Sequence, residues 1–196
     1  MAQQTIRSGR PRVASRAELE RVGFALFERQ GFEYTTIDHI AAAAGIGRRT
    51  FFRYFASKND LVWGEFEEQL VRLRSLLAAV ADDVPVMEAL REVVTEFNRF
   101  DSAVVPWHRR RMHLILRVPA LRAHSTLRYA SWQMAISECV AAREGVPVTA
   151  ASPRLIGHLA LAAAVTAYEL WLDDESADLA ELLDGVFRRL EEGFRS

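Results

Sequence analysis

Hydrophobic residues recur at helical spacing along most of the chain, and no stretch alternates apolar and polar residues between hairpin turns. Ala, Leu, Arg and Glu, which are strong helix formers, dominate the composition. The pattern predicts an all-α fold of nine helices. The predicted helices lie between Ser15 and Gly31, between Thr35 or Thr36 and Gly45, and over Gly47–Tyr54, Ser57–Leu77, Val86–Phe100, Val104–Arg117, Pro119–Arg143, Ser152–Asp173 and Ala177–Phe194.

The helices divide the chain into a small N-terminal block and a larger C-terminal block. Residues 1–14 are polar and basic and are predicted to form a flexible arm. Residues 15–75 are assigned to the first block and residues 76–196 to the second. Because the long fourth helix is shared by both blocks, the boundary is expected to have no linker.

Composition narrows the class of protein. The chain has 196 residues, of which 50% are hydrophobic and 26% charged, which is ordinary for a globular protein and excludes wholesale disorder. Cys139 is the one cysteine, which excludes an internal disulfide and a multi-cysteine metal site. It is interpreted as a small buried hydrophobe, with a redox sensor as the alternative.

The distribution of charge indicates a partner for the N-terminal block, and the hydropathy pattern indicates where in the cell the protein resides. Residues 1–60 carry ten Lys and Arg against six Asp and Glu, whereas the remainder of the chain is acidic. This asymmetry favours a polyanionic partner for the N-terminal block, although a solvated surface with chance asymmetry would look the same. The N-terminus lacks an apolar signal segment, and the longest apolar stretch, residues 159–172, is interrupted by Thr166 and Glu169. A cytoplasmic protein without a membrane span is expected.

Residues 36–55 have the spacing of a helix-turn-helix, because a Gly-containing turn at residues 44–46 separates two short helices. The second helix carries arginines on one side, whereas Phe51 and Phe55 lie four residues apart and are expected to anchor it inward. Arginines can read guanine edges and hydroxyls can contact phosphates, so this helix is a candidate recognition helix. The alternative is an ordinary helical hairpin with a solvated arginine face.

A specific set of residues over positions 15–75 resembles the N-terminal domain of the TetR family of bacterial repressors. The matching residues are Phe24-Ala25-Leu26-Phe27, Gly31-Phe32, Thr35-Thr36, Ile40-Ala41, Ala44-Gly45-Ile46, Phe51-Phe52, Tyr54-Phe55 and Ser57-Lys58. The resemblance implies an all-helical homodimer that binds double-stranded DNA through its N-terminal helices and a small effector through its C-terminal domain.

The resemblance also implies individual DNA contacts. Thr36 is expected to cap the helix that meets the DNA backbone. Base contacts are expected from Arg48, Arg49 and Phe52, and phosphate contacts from Thr50, Arg53, Tyr54 and Lys58. Arg7, Arg10 and Arg12 of the basic arm are expected to add affinity through counterion release. Gly47 stands where the family often has Ser or Thr, so the hydroxyl contact of that N-cap is expected to be missing. The family also often has Tyr at the position of Phe51 or Phe52, so one phosphate contact is expected to be absent.

The C-terminal block resembles the TetR subgroup that accompanies mycofactocin gene clusters in actinobacteria. The segments SKNDLVWGEFEEQL and HRRRMHLILRVPALRAHSTLRYASWQ carry this resemblance. It implies a long-chain acyl-CoA as the effector. Candidate effector-binding residues are Trp107, Arg109, Arg110, Arg111, Met112, Leu116, Tyr129, Trp132, Tyr168 and Trp171. Plain core packing of the aromatic residues and a solvated arginine face are the alternatives.

The last two predicted helices have broader apolar faces than one monomer's core needs, which favours a four-helix dimer interface over intramolecular burial. No cofactor or metal is expected, because the sequence has no Gly-rich phosphate loop, and the histidines of the C-terminal block form no i, i+4 ligand pair. The absence of G-x-S-x-G and HExxH motifs also argues against an enzyme. A DNA-binding architectural or interaction protein without an effector switch remains the alternative function.

Overall fold

The computed structural model describes residues 15–193, and this part of the chain contains ten α-helices and no β-strand. Arg7, Arg10 and Arg12 therefore lie outside the described residues. The helices are α1 Arg16–Gln30, α2 Ile37–Ala43, α3 Arg48–Phe52, α4 Lys58–Trp63, α5 Phe66–Ala79, α6 Val86–Phe97, α7 Val105–Arg117, α8 Pro119–Glu144, α9 Ala151–Asp173 and α10 Leu179–Glu191.

The predicted long fourth helix is wrong, because it is interrupted and forms the two helices α4 and α5. Gly64 adopts a φ of 61° and ends α4, a conformation that costs glycine little. The carbonyl of Gly64 accepts a hydrogen bond of 2.7 Å from Nη2 of Arg16, so it is not available to the next helical turn. The chain divides into two compact units here, at Gly64 and Glu65, eleven residues before the predicted boundary.

The first unit is built from α1 to α4 around buried apolar residues supplied by all four helices, among them Leu19, Ile40, Phe51 and Leu61. Ser15 and Thr36 act as N-caps through their side chains, and Gly31 ends α1 with a φ of 84°, as the sequence predicts. A Cβ atom on Gly23 would lie 2.9 Å from the side chain of Leu61, so glycine allows α1 and α4 to approach closely.

The second unit is a bundle in which α8 packs along α9, while α10 packs on both α9 and α6. Small residues bring α8 and α9 together: a Cβ atom on Gly157 would lie 2.4 Å from Oγ of Ser137, which itself donates a 2.9 Å hydrogen bond to the carbonyl of Pro153. Arg143 of α8 donates hydrogen bonds to the carbonyls of Val80, Ala81 and Val84 and so fixes the loop between α5 and α6.

One helix, α9, is long and apolar enough to cross a membrane by length and composition alone. It packs against α7, α8 and α10 of the bundle, which is the usual position of a core helix in a globular protein. A single helix of this kind is weak evidence for a membrane span. In the structure one apolar face of α9 lies in the core of the bundle, and another is exposed.

Candidate DNA-binding surface and effector cleft

The turn between α2 and α3 has the geometry of a helix-turn-helix. Gly45 adopts a φ of 67°, and the amide of Ile46 donates a 2.9 Å hydrogen bond to the carbonyl of Ala41. The N-cap of α3 is Gly47, which has no side chain to bond the first turn. The helix is shorter than predicted, because it ends at Phe52 and residues 53–54 form a turn.

Buried aromatic rings hold α3 in place. Phe51 and Phe55 are buried, as predicted, with ring centroids 5.7 Å apart. Arg16 supports the same end of the helix, since its Nη1 donates a 2.9 Å hydrogen bond to the carbonyl of Tyr54 and its guanidinium lies 4.5 Å from the ring of Phe55. This role of Arg16 was not predicted, because nothing in the local pattern around Arg16 points to a residue 38 positions away.

The side chains predicted to contact DNA fall into an exposed and a half-buried group. Thr36, Arg48, Arg49, Phe52 and Arg53 are exposed, whereas Thr50, Tyr54 and Lys58 are half-buried. Phe52 retains 43% exposure although its ring meets the buried ring of Phe51 edge-on at 5.7 Å. The helix therefore presents arginines and one aromatic ring to solvent from a rigid base, which is the division of roles that a recognition helix requires.

Three of these cations already have partners within the first unit. Nη2 of Arg53 donates a 3.2 Å hydrogen bond to the hydroxyl oxygen of Tyr54. Nη1 of Arg48 lies 2.9 Å from Oδ2 of Asp38 on α2. Nζ of Lys58 donates a 2.7 Å hydrogen bond to the carbonyl of Phe32 and lies 4.1 Å from the centroid of that ring. Burial lowers the pKa of Lys58, and Glu33 opposes this shift. Lys58 thus fixes the turn after α1, in addition to any contact with phosphate.

The predicted effector residues lie on α7, α8 and α9 of the second unit. Tyr168 and Trp171 of α9 are buried in the core, and Trp132 meets Phe97 edge-on at a centroid distance of 5.2 Å. The remaining residues Trp107, Arg111, Met112 and Tyr129 are half-buried, Leu116 is buried and Arg110 is exposed.

Arg109 contacts the C-terminal end of α9. Its guanidinium lies 4.0 Å from the ring of Trp171 and donates hydrogen bonds to the carbonyls of Trp171 and Asp174, at the C-terminal end of α9. A cation at this position satisfies carbonyls that have no partner within the helix. Arg117 forms a nearby ion pair with Asp173. Arg109 and Arg117, two of the four arginines of α7, thus hold the end of α9, which the sequence pattern did not indicate.

A buried polar network joins three helices of the second unit. The hydroxyl of Tyr168 donates a 2.6 Å hydrogen bond to Oδ1 of Asn98, and Nε2 of His108 lies 2.7 Å from the same hydroxyl. His108 also stacks on Phe100, with centroids 4.0 Å apart. Burial, followed by the charge of Arg111, lowers the pKa of His108 to about 3, so the ring is neutral and donates to the tyrosine oxygen.

A cleft of about 460 Å³ opens between α7, α8 and α9. Its lining combines apolar residues with one cation, one carboxylate and one phenol: Leu116, Pro119, Arg122, Ala123, Tyr129, Val165 and Glu169. Burial raises the pKa of Tyr129, so its hydroxyl is protonated. Leu116 and Tyr129 belong to the predicted effector residues, whereas the role of Glu169 was missed because one carboxylate in an apolar helix gives no periodic signal.

Metal binding has no support in the described part of the chain. Among residues 15–193, no group of three or more His, Cys, Asp or Glu side chains is arranged to hold a metal ion. Cys139 is a half-buried free thiol.

A helix-turn-helix followed by a separate helical bundle is the arrangement of a helix-turn-helix transcriptional regulator. Residues 20–62 match the family model "Bacterial regulatory proteins, tetR family", and residues 84–195 match "MftR C-terminal domain". The chain belongs to the TetR family and carries an MftR-type C-terminal domain.

Relatives support this assignment over nearly the whole chain. A protein of Mycobacterium tuberculosis named for a role as mycofactocin biosynthesis transcriptional regulator, MftR, is 41% identical over 92% of this chain and 91% of its own length. The regulator TcmR of Streptomyces glaucescens is 32% identical over 67% of this chain and 61% of its own. The family and these relatives are transcriptional regulators rather than enzymes.

Solved structures show the same fold. FadR of Thermus thermophilus in complex with lauroyl-CoA has a TM-score of 0.59 at 23% identity and covers 93% of this chain and 96% of its own. FadR of Bacillus subtilis in complex with stearoyl-CoA has a TM-score of 0.64 at 17% identity and covers 92% of this chain and 100% of its own. The predicted all-α fold is thereby confirmed.

Proposed function

We propose that this protein is a cytoplasmic repressor that binds a palindromic operator as a homodimer and releases it when a long-chain acyl-CoA binds the second unit. The observation that carries the DNA-binding part is the exposed arginine surface of α3, held by the buried rings of Phe51 and Phe55. The effector part draws support from the cleft beside α8 and from two FadR neighbours solved with lauroyl-CoA and stearoyl-CoA.

The lining of the cleft suits an amphiphilic anion. Its volume of about 460 Å³ lies within the range of small-molecule sites, about 300–1,000 Å³. Leu116, Ala123 and Val165 provide apolar surface, and Arg122 provides a fork of donors for a phosphate or a carboxylate. Glu169 restricts where the anion can sit, because it repels negative charge. We therefore propose Arg122, rather than Arg109, as the arginine that holds the effector's anionic group.

Substitution of Arg122 tests the cleft. We expect palmitoyl-CoA to bind the wild-type protein in a calorimetric titration and Arg122→Ala to weaken binding by about tenfold, since a charge-assisted hydrogen bond is lost. Arg110→Ala is the matched control, because it removes the same charge from an exposed position of α7 that does not line the cleft. The absence of any palmitoyl-CoA binding to the wild type would refute the effector class, and equal effects of both substitutions would refute the site.

The exposed apolar stripe of α9 supports the homodimer. Leu155, Leu159, Ala162, Thr166 and Leu170 are exposed and recur at intervals of three and four residues along one face. Monomeric proteins seldom leave such a continuous apolar stripe in water, whereas pairing of α9 and α10 from two copies would bury it in a four-helix bundle.

Charges placed in this stripe are expected to separate the dimer. In sedimentation velocity at micromolar concentration, the wild type should sediment as a dimer and Leu155→Asp with Leu159→Asp as a monomer, because two carboxylates per copy would be buried without partners. Leu127→Asp is the control, since Leu127 on α8 is 80% exposed and lies outside the stripe. A monomeric wild type, or dissociation only by Leu127→Asp, would contradict this interface.

A further inference from the structure

An acidic side chain faces the proposed recognition helix. Asp38, in the first turn of α2, places Oδ2 2.9 Å from Nη1 of Arg48, and the guanidinium carbon of Arg48 lies 5.4 Å from the ring centroid of Phe52. Among residues 15–193, no carboxylate lies within ion-pair distance of Arg49 or Arg53. Arg48 is thus held by a carboxylate and an aromatic ring, whereas Arg53, just after α3, contacts the hydroxyl and the ring of Tyr54.

Folding stability does not account for this pair. The side chains of Arg48 and Asp38 retain 57% and 64% exposure, and an ion pair at that exposure contributes little to the folded state. A carboxylate beside a DNA-binding helix also repels phosphate, which by itself weakens binding to every sequence. Asp38 therefore carries a cost for DNA binding that the stability of the free protein does not offset.

The fixed orientation of the Arg48 guanidinium improves base discrimination and so compensates for the repulsion between Asp38 and phosphate. An arginine reads guanine through two parallel N–H donors, and the contact needs the planar guanidinium in a fixed orientation. With one hydrogen of Nη1 bonded to Asp38, the Nη2 and Nε donors of Arg48 remain for a base edge. A phosphate of non-specific DNA, in contrast, must compete with the Asp38 carboxylate for electrostatic interaction with the guanidinium of Arg48.

We propose that Asp38 is a specificity-determining residue that orients Arg48 toward one base position and lowers its affinity for non-specific phosphates. This proposal rests on the proposed role of α3 as the recognition helix. Asp38 has a second possible role, since an acidic residue in the first turn of a helix interacts favourably with the helix dipole. That role affects the stability of α2 but not discrimination between DNA sequences, so the two roles predict different results.

The test compares specific and non-specific DNA. A duplex is selected by the wild-type protein from a library with a random core, and a scrambled duplex of the same composition serves as the non-specific probe. We expect Asp38→Asn to lower the ratio of the two affinities by about tenfold, because a misoriented bidentate contact loses most of its discrimination. Glu18→Gln, which removes the same charge from the first turn of α1, should leave the ratio unchanged.

The background variant Arg48→Ala identifies the cause. In that background Asp38→Asn should produce no further loss of discrimination, and thermal unfolding should show that both variants remain folded. The proposal is overturned if Asp38→Asn changes both affinities by the same factor, or if it acts equally without Arg48. If Arg48→Ala leaves the affinity ratio unchanged, the assignment of α3 as the recognition helix fails as well. If Arg48→Ala lowers the ratio and Asp38→Asn does not, only the proposed role of Asp38 is overturned.

Discussion

Replacement of both Arg48 and Arg49 by Ala is expected to abolish preferential binding to the operator. The two side chains are exposed on α3, and each base contact of this kind contributes about 1–3 kcal/mol of discrimination. The affinity for the selected duplex should therefore fall by about 30-fold or more in an anisotropy titration, toward the value for a scrambled duplex. The fold should persist, because neither side chain is part of the core.

A matched control separates base recognition from charge. Arg29→Ala removes one positive charge from an exposed position in the last turn of α1, so it reports the electrostatic effect alone. We expect it to weaken specific and scrambled duplexes alike. If the single substitutions Arg48→Ala and Arg49→Ala have no larger effect on the selected duplex than Arg29→Ala, α3 is not the recognition helix.

Acidification is expected to destabilise the second unit through His108. The folded state lowers the pKa of this ring to about 3, whereas an unfolded histidine titrates near 6.5. Between these two pKa values the histidine is protonated in the unfolded chain but not in the folded chain. The free energy of unfolding therefore falls as the pH decreases below about 6.5. At pH 5 the loss is about 2 kcal/mol, relative to neutral pH.

Urea unfolding monitored by tryptophan fluorescence at pH 7 and pH 5 measures this loss. Trp107, Trp132 and Trp171 report on the second unit. His108→Gln should be less stable than the wild type at pH 7, because it disrupts the contact with Tyr168, but should lose most of the pH dependence. His113→Gln, an exposed position on the same helix, should retain it. Equal stability of the wild type at the two pH values would contradict a buried neutral His108.

Periodicity predicted the helices well because most of them bury one apolar face against neighbours close in the chain. The break at Gly64 was missed for a physical reason: the helix formers on both sides of it favour continuation, and the carbonyl of Gly64 is held by Arg16, a residue 48 positions away. The end of α6 at Phe97 was also missed. There the side chain of Asn98 bonds the carbonyl of Val94 and accepts from Tyr168, and neither contact has a local signature.

The two candidate sites differ in how much the sequence could reveal. The candidate DNA-binding surface lies within one continuous segment, so the spacing of Gly45, Phe51 and the arginines of α3 was sufficient to predict its two helices and the turn between them. The candidate effector cleft draws on three successive helices, α7, α8 and α9, and composition cannot show which arginine reaches it. The sequence predicts an effector contact for Arg109, and this stays a prediction. In the structure Arg109 holds the end of α9, and Arg122 lines the cleft.

The central claim is that one chain couples effector binding to operator binding. The most direct measurement is a titration of palmitoyl-CoA into the complex of the wild-type protein with its fluorescently labelled selected duplex. We expect release of the duplex, a decrease in DNA affinity of roughly 5- to 150-fold at saturation, and an equal decrease in palmitoyl-CoA affinity when DNA is bound. An unchanged DNA affinity at palmitoyl-CoA concentrations that saturate the free protein would contradict it.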